Sequence, residues 1–272
     1  MVSTEGRGMT DRMPGAMMRP TPKMLITPGR IAYLGLLGSP TMRCFGAISI
    51  YVSLDRPFAL TVGGETRMSL CEIVGADTPH RISSADRLLI SILVEAETLD
   101  ADFPIRDKGL LLDRIVRGFT GDHEDILDCD DFDRRFFGQP LPRRMMDRRI
   151  ARVTRRICAL PAERHSASLY AQQAGLSISR FTHLFREQTG TTLRRFCAWK
   201  RARGVMAMVK APDSLVDTAL SAGFADSTHF SHAIRQFFGL RPKDIIAGSR
   251  LLTVIHHRAL ATPRPNDHWQ EN

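Results

Sequence analysis

Two short stretches of this chain carry polar side chains at helical spacing that could exchange hydrogen bonds with a regular array of donors and acceptors. In the first, Ser179, Arg180, Thr182, His183 and Arg186 surround Phe181 and Phe185. In the second, Ser227, Thr228, Ser231, His232 and Arg235 surround Phe230 and Ile234. Each i, i+4 apolar pair defines a buried side and leaves the hydroxyl, imidazole and guanidinium groups on or near the opposite face. Such groups suit base edges and phosphates: a guanidinium such as that of Arg180 either reads guanine O6 and N7 together or holds a phosphate.

The elements that must position these faces are written twice. Ala171 to Gly175, then a polar helix closing at Gly190, is repeated as Ala219 to Gly223, then a polar helix closing at Gly239. Each copy reads as a short helix, a turn at Ala-x-x-x-Gly and a second helix, which is the layout of a helix-turn-helix. Ser177 is placed to cap the first polar helix, and Asp226 or Ser227 the second. Arg143 to Leu160 forms a basic amphipathic helix before the repeat, and Pro242 stands at the first position of a short helix after it. Between the copies, Thr192 to Ala211 reads as one helix of about 20 residues, or ~30 Å. Successive major-groove entries on one face of a duplex lie ~34 Å apart.

Charge points the same way. The chain has 272 residues and a formal net charge of +9, but residues 141–272 hold 22 Lys and Arg against 9 Asp and Glu, and residues 1–140 hold 16 against 20. A basic half joined to a mildly acidic half implies a polyanionic partner for the former. No apolar run approaches the ~18–20 residues of a membrane span. The N-terminal stretch, rich in Met, Gly, Pro and Arg, lacks the apolar segment of a secretory signal and reads as disordered, with Met9, Met13, Met17, Met18 and Met24 as alternative starts. Five scattered cysteines without a C-x-x-C point to reduced thiols, and a cytoplasmic chain is expected.

The acidic half reads differently. Ala47 to Leu54, Phe58 to Val62, Met68 to Val74 and Leu88 to Val94 are short apolar runs broken by turn residues, with Gly63-Gly64 as a hairpin turn. A small antiparallel sandwich or barrel follows, with a helix from Asp107 to Phe119 and an acidic, solvated stretch from Asp122 to Asp133. The expected divisions are a disordered N-terminus (1–24), a β domain (25–137), a linker (138–142), a helical domain (143–250) and a loose tail (251–272). Other chemistries find little support. His229 and His232 have ligand spacing but no third ligand; His80 is taken as an ordinary turn residue and His256-His257 as solvated. No metal site, cofactor or catalytic residue is expected, and the chain is not read as an enzyme.

Residues 143–248 resemble the DNA-binding domain of AraC/XylS-type bacterial transcription regulators. The resemblance is carried by Ala219-x-x-x-Gly223-Phe-x-Asp226-Ser-x-x-Phe230-Ser, the Gly239-x-x-Pro242 closure, and Phe181-x-x-x-Phe185 with Gly190. Ile234 departs from the usual aromatic, and Lys243-Asp244-Ile245 from the usual aromatic-Arg ending. Arg30 to Gly35, Leu54 to Leu60 and Pro79-His80 are more distantly similar to the cupin-like sensor domain of some such regulators. The resemblance implies an α+β multidomain chain: a small antiparallel β, cupin-like domain with a following helix, then an all-α double helix-turn-helix domain. It implies a sequence-specific regulator with both recognition helices in successive major grooves of promoter DNA. Base contacts would come from Ser179, Thr182, His183, Ser227, Thr228, Ser231 and His232, with Arg180 on base or phosphate. Arg186, Arg194, Arg195 and Arg235 would hold phosphates. RNA polymerase and a small-molecule effector are partners of this class, the chain acting as monomer or homodimer at the nucleoid. A cupin-fold metal enzyme and a non-specific architectural DNA binder are the alternatives.

Overall fold

The computed structural model describes residues 22–35, 40–85, 88–100, 103–120, 128–208, 215–249 and 253–256. Its first part is built from β1 (Lys23–Thr27), β2 (Arg30–Leu34), β3 (Ala47–Ser53), β4 (Phe58–Val62), β5 (Glu65–Ser69), β6 (Cys71–Val74), β7 (His80–Ser83) and β8 (Leu89–Glu95). Two sheets result, in the orders β6-β3-β8-β2-β1-β9 and β5-β4-β7, where β9 (Thr253–His256) comes from the far end of the chain. The expected hairpin joins β4 to β5 with Val62 opposite Glu65, and Gly63 and Gly64 both have positive φ, as a two-residue turn of this hand requires.

The larger sheet is covered on both faces, which explains the nearly continuous apolar run of β8, Leu89-Ile-Ser-Ile-Leu-Val. One face carries Leu25, Ala32, Ile50, Ile90 and Ile92 against α1 (Lys108–Thr120) and α2 (Cys129–Phe137). Helix α2 lies in the segment read from sequence as a solvated acidic surface, of which residues 122–127 fall outside the described residues. Asp133 corrects that reading. It is 1% exposed and takes a two-pronged bond from Arg30, at 2.8 Å to Nε and 2.9 Å to Nη2, while Leu141 N–H donates to it at 3.1 Å. The aromatic residues Phe132, Phe136 and Phe137 bury that side of the helix, so its acid goes in with them and brings its cation along.

The second part is helical: α3 (Arg148–Ala159), α4 (Ala167–Gln173), α5 (Ile178–Thr189), α6 (Leu193–Met208), α7 (Leu215–Ser221), α8 (Ser227–Phe238) and α9 (Pro242–Ser249). The described 16 residues of α6 span about 24 Å. Helix α6 lies between the two parts. Trp199 packs its ring 5.7 Å from Phe45 and 5.5 Å from Phe237, and Gly46 lies so close that a Cβ there would meet Trp199 Cγ at 2.6 Å. One continuous core therefore joins the inner sheet faces to α6, α7, α8 and α9. Thr253–His256, expected within a loose tail, pairs in parallel with β1; its Thr-Val-Ile run is the β-branched pattern that suits a strand.

A buried charge cluster fixes α6 to β8. Glu95, 1% exposed, accepts from Trp199 Nε1 at 2.8 Å and Lys200 Nζ at 2.6 Å, and Arg203 Nε lies 2.6 Å from its other oxygen as an ion pair. Lys200 also reaches Glu97 at 2.5 Å. Burial alone would raise the pKa of Glu95, but Lys200 and Arg203 outweigh it and hold the carboxyl below the ordinary range. Burial raises that of Glu97, and Lys200 offsets this only in part. The two groups therefore act with opposite sign. Stability from ionised Glu95 is present above its unfolded-state pKa and lost as pH falls through its lower folded value; ionising Glu97 costs stability as pH rises. At pH 7, Glu95→Gln should lose about 3–5 kcal/mol of unfolding free energy, and Glu97→Gln clearly less. Urea titrations repeated below the ordinary carboxylate range should bring the two variants together.

Candidate nucleic-acid interface

The two polar helices are set up by local chemistry that the sequence already contains. Ser177 Oγ accepts from Arg180 N–H at the start of α5, and Asp226 accepts from Thr228 and His229 N–H, each at 2.8 Å, at the start of α8. Both helices end on a left-handed glycine, Gly190 and Gly239. Phe181, Phe185, Phe230 and Ile234 are buried as their spacing requires. Their opposite faces are open: Ser179, Arg180, Thr182, His183 and Arg186 on α5, and Ser227, Thr228, His232 and Arg235 on α8, are exposed, with Ser231 half-buried.

On the first helix the structure brings several of these groups together. Ser179, Thr182, His183 and Arg186 line a wide groove of about 1290 Å³, mouth included, which Arg194 and Arg201 close from α6. Thr182 donates its hydroxyl back to Ile178 and Ser179 carbonyls, both at 3.0 Å, so its oxygen keeps only acceptor capacity towards the groove. Arg195 does not share this surface. Its Nε lies 2.5 Å from Asp77 of the β part, its Nη2 3.0 Å from Cys44 Sγ, and its guanidinium carbon 5.8 Å from the Phe237 ring centre. One residue along a helix turns a side chain by about 100°, which is why Arg194 and Arg195 part company.

The histidines also sort themselves. His80 is not an ordinary turn residue: it opens β7, is 1% exposed, and bonds Tyr51 Oη and Thr78 carbonyl at 2.7 Å each. Burial lowers its pKa to about 4, so it is neutral near pH 7. His229 lies 3.1 Å from Asp226, and no group of three metal-ligand side chains forms among the described residues. His256 ends β9, and His257 lies outside the described residues.

A second site was not legible in the sequence. A narrow cleft with about 60 Å³ of accessible space opens between the β part and the helices. Its walls are almost wholly apolar, from Met24, Ile31 and Leu93 on one side to Val205, Phe238 and Leu240 on the other. Arg43 stands in this wall. It is 6% exposed, its Nε has no hydrogen-bond partner, and no carboxylate pairs with it among the described residues. Arg43 sits in Thr-Met-Arg-Cys-Phe, a stretch without periodicity, so no pattern distinguishes it from a surface arginine.

The family described as "Helix-turn-helix domain" matches residues 170–247, which takes in both polar helices. Residues 170–247 thus match a helix-turn-helix domain. RhaS of Escherichia fergusonii, an HTH-type transcriptional activator, is 36% identical over 90 residues, which are 32% of this chain and 32% of RhaS. The chain thus matches about a third of the length of such curated relatives. The fold as a whole is similar to that of ToxT from Vibrio cholerae. An apo variant superposes with a TM-score of 0.54 at 12% identity, covering 81% of this chain and 97% of ToxT. ToxT bound to an unsaturated fatty acid gives 0.52 at 10% identity, covering 85% and 98%. A β domain followed by a helical domain is therefore the architecture of this chain. Among the described residues no helix is long and apolar enough to cross a membrane.

The caps give the helix-turn-helix units a direct test. Ser177→Ala and Asp226→Ala should each lower stability by about 1 kcal/mol, measured by urea unfolding of the full chain. Asp226→Asn, which keeps a side-chain acceptor, should recover most of the loss.

Proposed function

We propose that this protein is a sequence-specific transcription regulator that lays α5 and α8 in successive major grooves of promoter DNA. The observation that carries the reading is the pair of capped helices whose apolar sides are buried and whose polar faces are open. Ser179, Thr182 and His183 on α5, with Ser227, Thr228, Ser231 and His232 on α8, supply the base contacts, and Arg180 a base or a phosphate. Arg186, Arg194 and Arg235 hold phosphates; Arg195, engaged by Asp77, is left out of this set. The β part serves as the effector domain, and the Arg43 cleft is its effector site. An apolar molecule with one carboxylate suits it, because a buried cation without a counter-ion gains most from an anion. The fatty-acid complex of ToxT supports that choice of ligand class. RNA polymerase, a monomeric or homodimeric state and a cytoplasmic, nucleoid-bound location belong to the same reading.

Selection of genomic fragments by the full chain at near-physiological salt, with sequencing of the bound pool, tests it. Enrichment of two short boxes about one helical turn apart is expected. A pool indistinguishable from the input would overturn it in favour of a non-specific architectural binder. On the selected site, Arg186→Ala or Arg235→Ala should weaken binding to all sequences and reduce the salt slope by about one. Thr182→Ala or His232→Ala should instead relax preference at a few base positions. For the cleft, oleate should raise the melting temperature of the full chain while oleyl alcohol does not, and Arg43→Gln should remove the difference.

A further inference from the structure

The two reading units are not held alike. The first has a core of its own, in which Ile150, Val153, Phe181, Phe185 and Phe196 pack together without the sheets. It meets the β part through polar contacts: Arg195 with Asp77, and Arg144, which donates to the carbonyls of Leu99 at 3.0 Å and Gln188 at 2.8 Å. Its turn glycines, Gly175 and Gly190, have nothing within 4 Å of where a Cβ would lie.

Among the described residues the second unit has no separate core. Phe230, Ile234, Phe237, Phe238 and Leu240 are continuous with Met24, Ile31, Phe45 and Leu93 of the sheets. The end of its recognition helix is capped by the other part of the chain: Thr41 N–H donates to Gly239 carbonyl at 2.8 Å, and Cys44 N–H to Phe237 carbonyl at 3.3 Å. Gly239, at φ 66°, is pressed so close that a Cβ would lie 2.7 Å from Thr41 carbonyl oxygen. Beyond α9 the chain re-enters the larger sheet as β9, alongside β1. The Arg43 cleft is bounded by Phe238, Leu240 and Ile245 of this unit and by no residue of α3, α4 or α5.

We propose that the second helix-turn-helix is the controlled reading head and the first an independent one. The position of α8 follows the β part, through the shared core, the cap on Gly239 and the β9 strap, and an occupant of the Arg43 cleft, which meets only the Val205–Met206 end of α6, acts chiefly on α8. This rests on the two-groove regulator reading above. A ligand moves such an equilibrium only by binding one arrangement better than another, and a cleft with one wall on each part has that differential contact.

Hydroxyl-radical footprinting of the full chain on its selected two-box site separates the heads. Thr182→Ala identifies the box read by α5. In the parallel ladder Thr253 N–H bonds Pro22 carbonyl, so Ile255 supplies the next donor to β1. Ile255→Pro removes that donor from an edge strand, and Leu240→Ala opens the cleft wall. Each should change half-saturation at the α8 box by about fivefold or more and leave the α5 box within about twofold, as should oleate on the unaltered chain. Equal changes at both boxes, a change confined to the α5 box, or no change from Leu240→Ala and oleate would overturn the proposal. Should Ile255→Pro fail to fold, Leu240→Ala and oleate decide. An unaltered chain that protects neither box would instead overturn the regulator reading itself.

Discussion

The arrangement of this molecule depends on the contact of α6 with β8, where Glu95 receives Trp199, Lys200 and Arg203 out of reach of water. With Glu97, which also pairs with Lys200, there are four charged groups here, and in a dry site they gain little net stability over apolar residues of the same size, because each loses its hydration. What they do supply is a requirement of geometry. A slip of α6 by one residue turns Lys200 away by about 100° and leaves two buried carboxylates short of a cation, whereas an apolar contact would tolerate the slip. Helix α6 also belongs to both reading units, with Phe196 in one core and Trp199 and Val205 in the other. Fixing the register of its Trp199–Val205 end on the β part therefore fixes where the polar face of α8 can point.

This explains why the linker region is less of a boundary than its composition suggests. Gly138 to Pro142 reads as a break, yet Leu141 is buried and its N–H completes the Arg30–Asp133 pair. Arg144, just beyond, ties Leu99 to the end of α5. Contacts carried by single polar side chains across the chain are enough to join parts that the run of sequence separates.

What was legible follows from the range over which each signal acts. The polar helices, their Ser177 and Asp226 caps and their glycine ends are local patterns, set by residues within four positions of one another, and all stand in the sequence as in the structure. The Gly63-Gly64 hairpin is local in the same sense. Helix α2 was hidden because Asp128 to Asp133 looks like a solvated run, and only the Arg30 partner, about a hundred residues earlier, gives Asp133 a reason to be inside. The same holds for Arg195, whose role is decided by Asp77 and Phe237, and for His80, decided by Tyr51. β9 was hidden because four residues make a strand only when an open edge waits for them. Arg43 shows the limit most plainly: its local sequence has no period, and its chemistry comes from walls contributed by β1, β2, β8, α6, α8 and α9.

The reading faces themselves are chemically modest. Ser, Thr and His offer one or two hydrogen bonds each, and Thr182 spends its proton on its own helix. A bidentate side chain discriminates a base by ~1–3 kcal/mol, and only Arg180 on α5 has that form among the base-facing set. Discrimination must then depend on both helices engaging at once, since two weak boxes at a fixed separation specify far more sequence than either alone. That in turn demands a rigid spacing, which the α6 register provides. A head whose individual contacts are weak is also the easiest to release, because a small displacement of α8 forfeits most of its share. A fold that ties α8 to the sheets by a shared core, a backbone cap and a strand is suited to making that displacement depend on the β part.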